Sequence, residues 1–164
     1  MRQTPFHFLG RFVVTFQRLE SSLNAILVSL SCAPDEAARI MFNELSFAQR
    51  LKTASTLMGW FVTQNPRFPD LLRQEFDEYI VALQKAAERR NELVHSNFTH
   101  LPTIGVDLGL VREKSRLRPS KGEREIDEEE LLEEMLEKET QALMNLETEL
   151  RRFEGWIAHW RKHA

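Results

Sequence analysis

The chain holds a single cysteine, Cys32. No intrachain disulfide can form, which points to a reducing compartment and a cytoplasmic protein. Cys32 falls between two helix patterns, where a small buried filler is the expected role rather than a nucleophile. No apolar run is long enough to span a bilayer. The opening Met-Arg-Gln-Thr-Pro-Phe-His-Phe has no uninterrupted apolar stretch and no small-residue cleavage site, so it does not read as a signal peptide. There is no Gly-rich phosphate loop, which leaves nucleotide binding of the P-loop or Rossmann type without support. The Gly-x-Ser-x-Gly elbow of serine hydrolases is also missing. Basic charge is not in excess: the net charge is -3 and the isoelectric point about 6.0. Broad non-specific duplex binding, which rests on many phosphate contacts, is therefore disfavoured.

What is present is a globular composition, 42% hydrophobic and 29% charged over 164 residues. That length suits one domain, residues 1–164, with one sizeable core. The apolar residues follow helical spacing almost throughout. Leu9, Phe12, Phe16, Leu19, Leu23, Ile26 and Leu30 recur three and four apart, which predicts a helix over Pro5 to Leu30. Pro34 suits a helix start, and Asp35 to Phe42 reads as a short helix. Ser46 can cap the next helix, whose apolar face carries Phe47, Leu51, Ala54, Leu57, Met58 and Phe61. Asn65-Pro66 and Pro69 stop it. Asp70 opens a long helix ending near His95, with the stripe Leu72, Phe76, Tyr79, Leu83 and Ala86.

Residues 99–123 change character, with Pro102, Gly105, Gly109, Pro119 and Gly122 as punctuation. Ile104 to Leu108 and Leu110 to Leu117 are short alternating runs that could pair as a hairpin. Charge is segregated next. Arg112, Lys114, Arg116, Arg118, Lys121 and Arg124 form a basic stretch. Glu125, Asp127, Glu128, Glu129, Glu130, Glu133 and Glu134 follow it, as acids suit a helix start. The basic stretch reads equally as an RNA-facing loop or as a soluble one. A last helix is expected from Asp127, with Leu143, Leu146, Leu150, Phe153, Ile157 and Trp160 on its apolar face. The heptad-like spacing of the first and last helices predicts that they pack side by side within the chain; a dimer seam is the other use of such a pattern. The fold class expected is all-α: an up-and-down bundle of four to five helices, with a small irregular or hairpin insertion before the long C-terminal helix.

Candidate chemistry is sparse. His159 and His163 share a helix face at a spacing that suits zinc, but the segment lacks the glutamate of the zinc-protease helix, and Arg161 and Lys162 would repel a cation. Two exposed terminal histidines are the plainer reading, and no metal or cofactor is expected. Ser96 adjoins His95, but neighbours on a helix point apart, which makes a Ser–His nucleophile pair doubtful. One constellation survives. After Ala86 the next stripe position of the long helix is Arg90, a charge where the pattern asks for a core residue. Breaks of that kind tend to mark functional or strained sites. Asn91 follows it, and His95 closes the helix. A structural network is the competing reading, with Arg90 neutralised by an internal acid and His95 capping the helix end.

The stretch Glu-Arg-Arg-Asn-Glu-Leu-Val-His-Ser (88–96) resembles the signature of the HEPN superfamily, in which an arginine is followed four to six residues on by a histidine, often with an asparagine just after the arginine. The resemblance implies a small helical bundle with this motif near the end of a central helix and a final helix packed back on the bundle. It implies a metal-independent endoribonuclease, commonly a toxin or an antiviral-defence component. It implies a homodimer whose motifs face each other, and in toxin–antitoxin pairs an antitoxin that is often a small nucleotidyltransferase. Some members of the superfamily have lost activity and serve as binding modules, so an inactive dimeric module that binds RNA, nucleotide or protein is the alternative. The expected catalytic residues are Arg90, Asn91 and His95. Arg89, Arg112, Lys114, Arg116 and Arg118 are weaker candidates for RNA contact.

The chemistry fits those residue types. RNA carries its own nucleophile, the 2′-hydroxyl. Cleavage needs that proton removed, charge on the phosphate stabilised and the departing 5′-oxygen protonated. Histidine transfers protons near neutrality. Arginine stays charged and offers planar donors to phosphate oxygens. A symmetric dimer would supply the second histidine that one chain lacks.

Overall fold

Phe8, Phe12, Phe16, Leu19, Leu23, Ile26 and Leu30 form one continuous seam, each at most 3% exposed. They lie on α1 (Pro5–Ser31) of the computed structural model, which describes residues 5–100, 109–118 and 123–163. The seam's chief partner is α5 (Glu133–His163), which buries Leu136, Leu143, Leu150, Phe153 and Ile157. The two helices run parallel. Arg18 meets Glu147 at 3.3 Å, and further along both helices Arg161 donates to the Ser29 carbonyl at 2.7 Å. The side-by-side packing read from the two heptad patterns is thus the main axis of the core.

Cys32 ends α1 in the left-handed conformation, with φ of 56°, a conformation that lets the chain turn after a helix. That turn lies at the surface, so Cys32 is exposed and is not the buried filler expected of it. Next, α2 (Asp35–Asn43) doubles back along α1, burying Ala38 and Phe42; Asn24 donates to Asn43 at 3.2 Å. Ser46 then caps α3 (Phe47–Gln64) through a full capping box, its hydroxyl accepting from the Gln49 N–H and its own N–H donating to the Gln49 side chain. Asn65 stops α3, donating to the Phe61 carbonyl from its side chain at 2.8 Å.

Phe47 at the start of α3 packs on Phe16, with ring centroids 5.2 Å apart, while the end of α3 shares a hollow with Cys32. So α3 runs parallel to α1. α4 (Asp70–Val94) returns antiparallel to α5: Phe76 stacks near Phe153 and Arg89 reaches Glu139. Five helices thus alternate in direction, with α2 the short member. Among the described residues, no helix is long and apolar enough to cross a membrane.

The described residues are mostly helical, in keeping with the all-α expectation, and the insertion expected before the long C-terminal helix is a small three-stranded antiparallel sheet that sits where α4 stops. Its order is β1 (Asn97–His100), β2 (Gly109–Arg118), β3 (Glu123–Leu132). Two expectations change here. Leu110 to Leu117 is a strand, but it pairs with β1 and β3, whereas Ile104 to Leu108 lies outside the described residues. The last helix begins at Glu133, not at Asp127, and residues 127–132 complete β3. Helix propensity loses there to tertiary contacts. Alternation puts Glu129 and Leu131 on the inner face, Leu131 fully buried, and leaves Glu128 and Glu130 exposed. Gly109, opposite Leu132, is required by closeness: a Cβ there would stand 2.6 Å from the Leu131 carbonyl oxygen.

Candidate functional site at the end of α4

Arg89 and Arg90 are neighbours in sequence, so they project about 100° apart around α4. That difference separates their environments. Arg89 turns toward α5 and the sheet. Its Nη1 and Nη2 donate to the two oxygens of Glu129 at 2.7 and 2.8 Å, and its Nε and Nη2 donate to Glu139 at 2.9 to 3.2 Å. Glu92, one turn on, lies 3.7 Å away. Arg112 of β2 adds to the same knot from the other side. It is 4% exposed, donating from Nε to Glu129 at 2.7 Å and from Nη2 to Asp127 at 2.9 Å. These contacts pull the Glu129 carboxyl below the usual range, chiefly through the hydrogen bonds from Arg89 and against the opposing effect of burial. They push Arg89 further up than an ordinary guanidinium, the bond to Glu129 being the main cause.

Arg90 turns the other way, toward α1. Its guanidinium carbon lies 5.8 Å from the centroid of the Phe16 ring. Its Nη1 donates to the Asn91 side-chain oxygen at 3.1 Å, and its buried Nε has no hydrogen-bond partner among the described residues. No carboxylate of the described residues forms an ion pair with it. The competing reading, a charge cancelled by an internal acid, therefore describes Arg89 and not Arg90. Asn91 and His95 are exposed, four residues apart and so on one face of the helix end. His95 is the C-cap of α4, its backbone N–H donating to the Asn91 carbonyl at 3.1 Å. The arrangement offers a charged planar donor, an amide and a solvent-facing imidazole at one helix end.

The weaker candidates fare differently. Arg89 and Arg112 are engaged by carboxylates and serve the fold. Lys114 is half-buried in β2, opposite Asp127. Arg116 and Arg118 sit opposite Glu125 and Glu123 in the strand register, and their side chains lie outside the described ones. Arg112, Lys114, Arg116 and Arg118 of β2 thus stand in register with Glu129, Asp127, Glu125 and Glu123 of β3, opposite charges at alternate positions of two paired strands. Spacing alone did not reveal Glu129, Glu139, Asp127 or Ser96, which lie on other elements or outside the motif. The signal that could have found the hairpin is the matched sign and alternation of the two stretches.

A mostly apolar groove of about 650 Å³ runs between α4 and α5, lined among others by Phe12, Ala82, Ala86, Ala142 and Leu146. It lies on the Arg89 side of α4, and its lining does not include Arg90, Asn91 or His95. On its rim, burial and the neighbouring Glu149 push the Tyr79 hydroxyl up. Among the described residues no three His, Cys, Asp or Glu side chains are arranged to hold a metal ion. No family model, curated protein or solved structure matches this chain.

Proposed function

We propose that this chain is a metal-independent endoribonuclease of the HEPN type, acting in the cytoplasm as a symmetric dimer. The observation that carries the reading is the contrast between two adjacent arginines. Arg89 is saturated with carboxylates; Arg90 has none among the described residues and shares an exposed helix end with Asn91 and His95. In this reading His95 of one protomer takes the proton from the 2′-hydroxyl. The 2′-oxygen attacks phosphorus, forming a 2′,3′-cyclic phosphate, while the bond to the 5′-oxygen breaks. The partner's copy of the histidine returns a proton to that oxygen. Arg90 stabilises the charge on the phosphoryl oxygens, and Asn91 holds the Arg90 guanidinium in place.

The position of the motif outside the α4/α5 groove supports a site completed by a second copy rather than one enclosed within a single chain. As a toxin or antiviral-defence component, the protein would be held in check by a partner, a nucleotidyltransferase-type antitoxin being the proposed one. The test is direct. Purified protein should cleave RNA in the presence of a chelator, and His95→Ala and Arg90→Ala should abolish cleavage while leaving the fold intact. A wild type that cuts no RNA, or a His95→Ala variant that cuts equally well, overturns the reading. The apolar groove between α4 and α5 favours a second reading, a non-catalytic dimeric module that binds RNA, nucleotide or protein. It differs in one cheap observation: expression should arrest growth in a His95-dependent way only if the chain is a ribonuclease toxin.

A further inference from the structure

The last turn of an α-helix holds carbonyls without intrahelical partners and frays readily. His95 caps such a turn, yet a proton-transfer group must keep its place to within about half an ångström. The segment from Arg90 to His95 is tied on both sides to one carboxylate of the sheet. Immediately before it, Arg89 grips both oxygens of Glu129 in a planar two-point contact. Immediately after it, Ser96 donates to the Glu92 carbonyl and accepts from Arg112 Nη1 at 3.4 Å. Arg112 in turn holds the same Glu129 oxygen that Arg89 Nη1 holds. We infer that Glu129 is a positioning residue, fixing the α4 end from strand β3 through Arg89 on one flank of the motif and through Arg112 and Ser96 on the other. The role in catalysis rests on the ribonuclease reading; the hold on the helix end does not.

Three features favour a positioning role over a general contribution to packing. The network ties the end of α4 to the sheet and to Glu139 of α5 through charged groups, and none of its residues belongs to the apolar seam of α1 and α5. Its two arms reach the residues that flank the motif. Its centre is a shared carboxylate that accepts from two guanidinium groups at once, and Gln would turn an N–H₂ toward one of them.

The experiment uses the full chain with Glu129→Gln and Glu129→Asp, each first checked for a native helical spectrum. Backbone amide exchange and the ring signals of His95, assigned by their loss in His95→Asn, are followed alongside RNA cleavage. Expected for Glu129→Gln is exchange about tenfold faster over residues 93–97, with the α1 seam unchanged. The His95 ring signals should move, and kcat should fall by about 10²-fold with KM little altered, as a misplaced catalytic group predicts. Glu129→Asp, which keeps the charge, should recover part of each effect. Exchange and ring signals that stay at wild type overturn the inference. So does exchange that quickens equally throughout the core, or a kcat that holds while the helix end loosens. If the wild type cuts no RNA, the ribonuclease reading fails, and exchange with the ring signals still decides whether Glu129 holds the helix end.

Discussion

Truncating Arg89 and Arg90 one at a time should give very unequal losses of stability, although the residues are adjacent and chemically identical. Arg89→Ala removes a guanidinium whose side chain is 20% exposed and leaves two partly buried carboxylates, Glu129 and Glu139, without it. Breaking a buried pair by deleting one partner costs about 3–5 kcal/mol, and the partial exposure here puts the expected loss near the lower figure, about 3 kcal/mol. Arg90→Ala removes a distant contact over Phe16, about 0.5 kcal/mol, and one bond to an exposed amide, about 0.5 kcal/mol. Its buried, unpartnered Nε works against it by about 1–2 kcal/mol, a cost that the truncation relieves. The net change for Arg90→Ala is therefore within about 1 kcal/mol of zero.

Urea unfolding followed by circular dichroism separates the two. With a slope of about 2 kcal/mol per molar, Arg89→Ala should lower the midpoint by about 1.5 M and Arg90→Ala by less than about 0.5 M. Equal midpoints for the two variants, or a larger loss for Arg90→Ala, would refute the division of labour between them. The result also governs the cleavage assay, because only a variant that keeps its stability can attribute lost activity to the site.

Gly109→Ala should destabilise the protein by about 2 kcal/mol, read as a lower melting temperature, since its Cβ meets backbone rather than a movable side chain. Ser46→Ala should cost about 1 kcal/mol through loss of the capping box, and Ser46→Asp should restore most of it. Glu129 is held below the ordinary glutamate pKa in the folded state, so on acidification the unfolded chain takes up this proton first. The stabilisation it gives is complete above about pH 4.3 and is lost as pH falls through the folded value, so the urea midpoint of wild type should drop more steeply with acid than that of Glu129→Gln.

The helices were legible because their seams repeat over many turns and their ends carry chemistry. Ser46 caps, Asn65 stops a helix, and six of the seven seam residues of α1 need no distant information to be recognised, Phe8 taking the buried place expected of Leu9. The stripe position of Arg90 was legible for the same reason, by counting from Leu72 in threes and fours; its seat on Phe16 of α1 was not. The sheet was not. Residues 127–132 are dense in glutamate, which favours helix locally, and the facts that reverse this are non-local. Glu129 needs Arg89 and Arg112, and Leu131 needs the core, and neither dependence shows in the spacing of the run itself. Cys32 was misread because its left-handed turn is a backbone property that the residue type does not signal.

The placement of the acids explains why one arginine is paired and its neighbour, among the described residues, is not. Glu92, Glu129 and Glu139 come from three different elements, yet all three converge on the Arg89 face of α4. A protein with 25 acidic and 22 basic residues has little spare positive charge, and a guanidinium near such a cluster would ordinarily be neutralised. Arg90 escapes because the helix turns it by about 100°, onto the aromatic ring of Phe16, where a cation is tolerated without a counter-ion. That Arg90 has no counter-ion among the described residues is therefore a consequence of where the sheet docks: β3 binds Arg89 and in doing so keeps its carboxylates away from Arg90. An insertion that composition presents as a solvated loop thus bears on the site twice, through its hold on the helix end and through the side of the helix that its acids occupy.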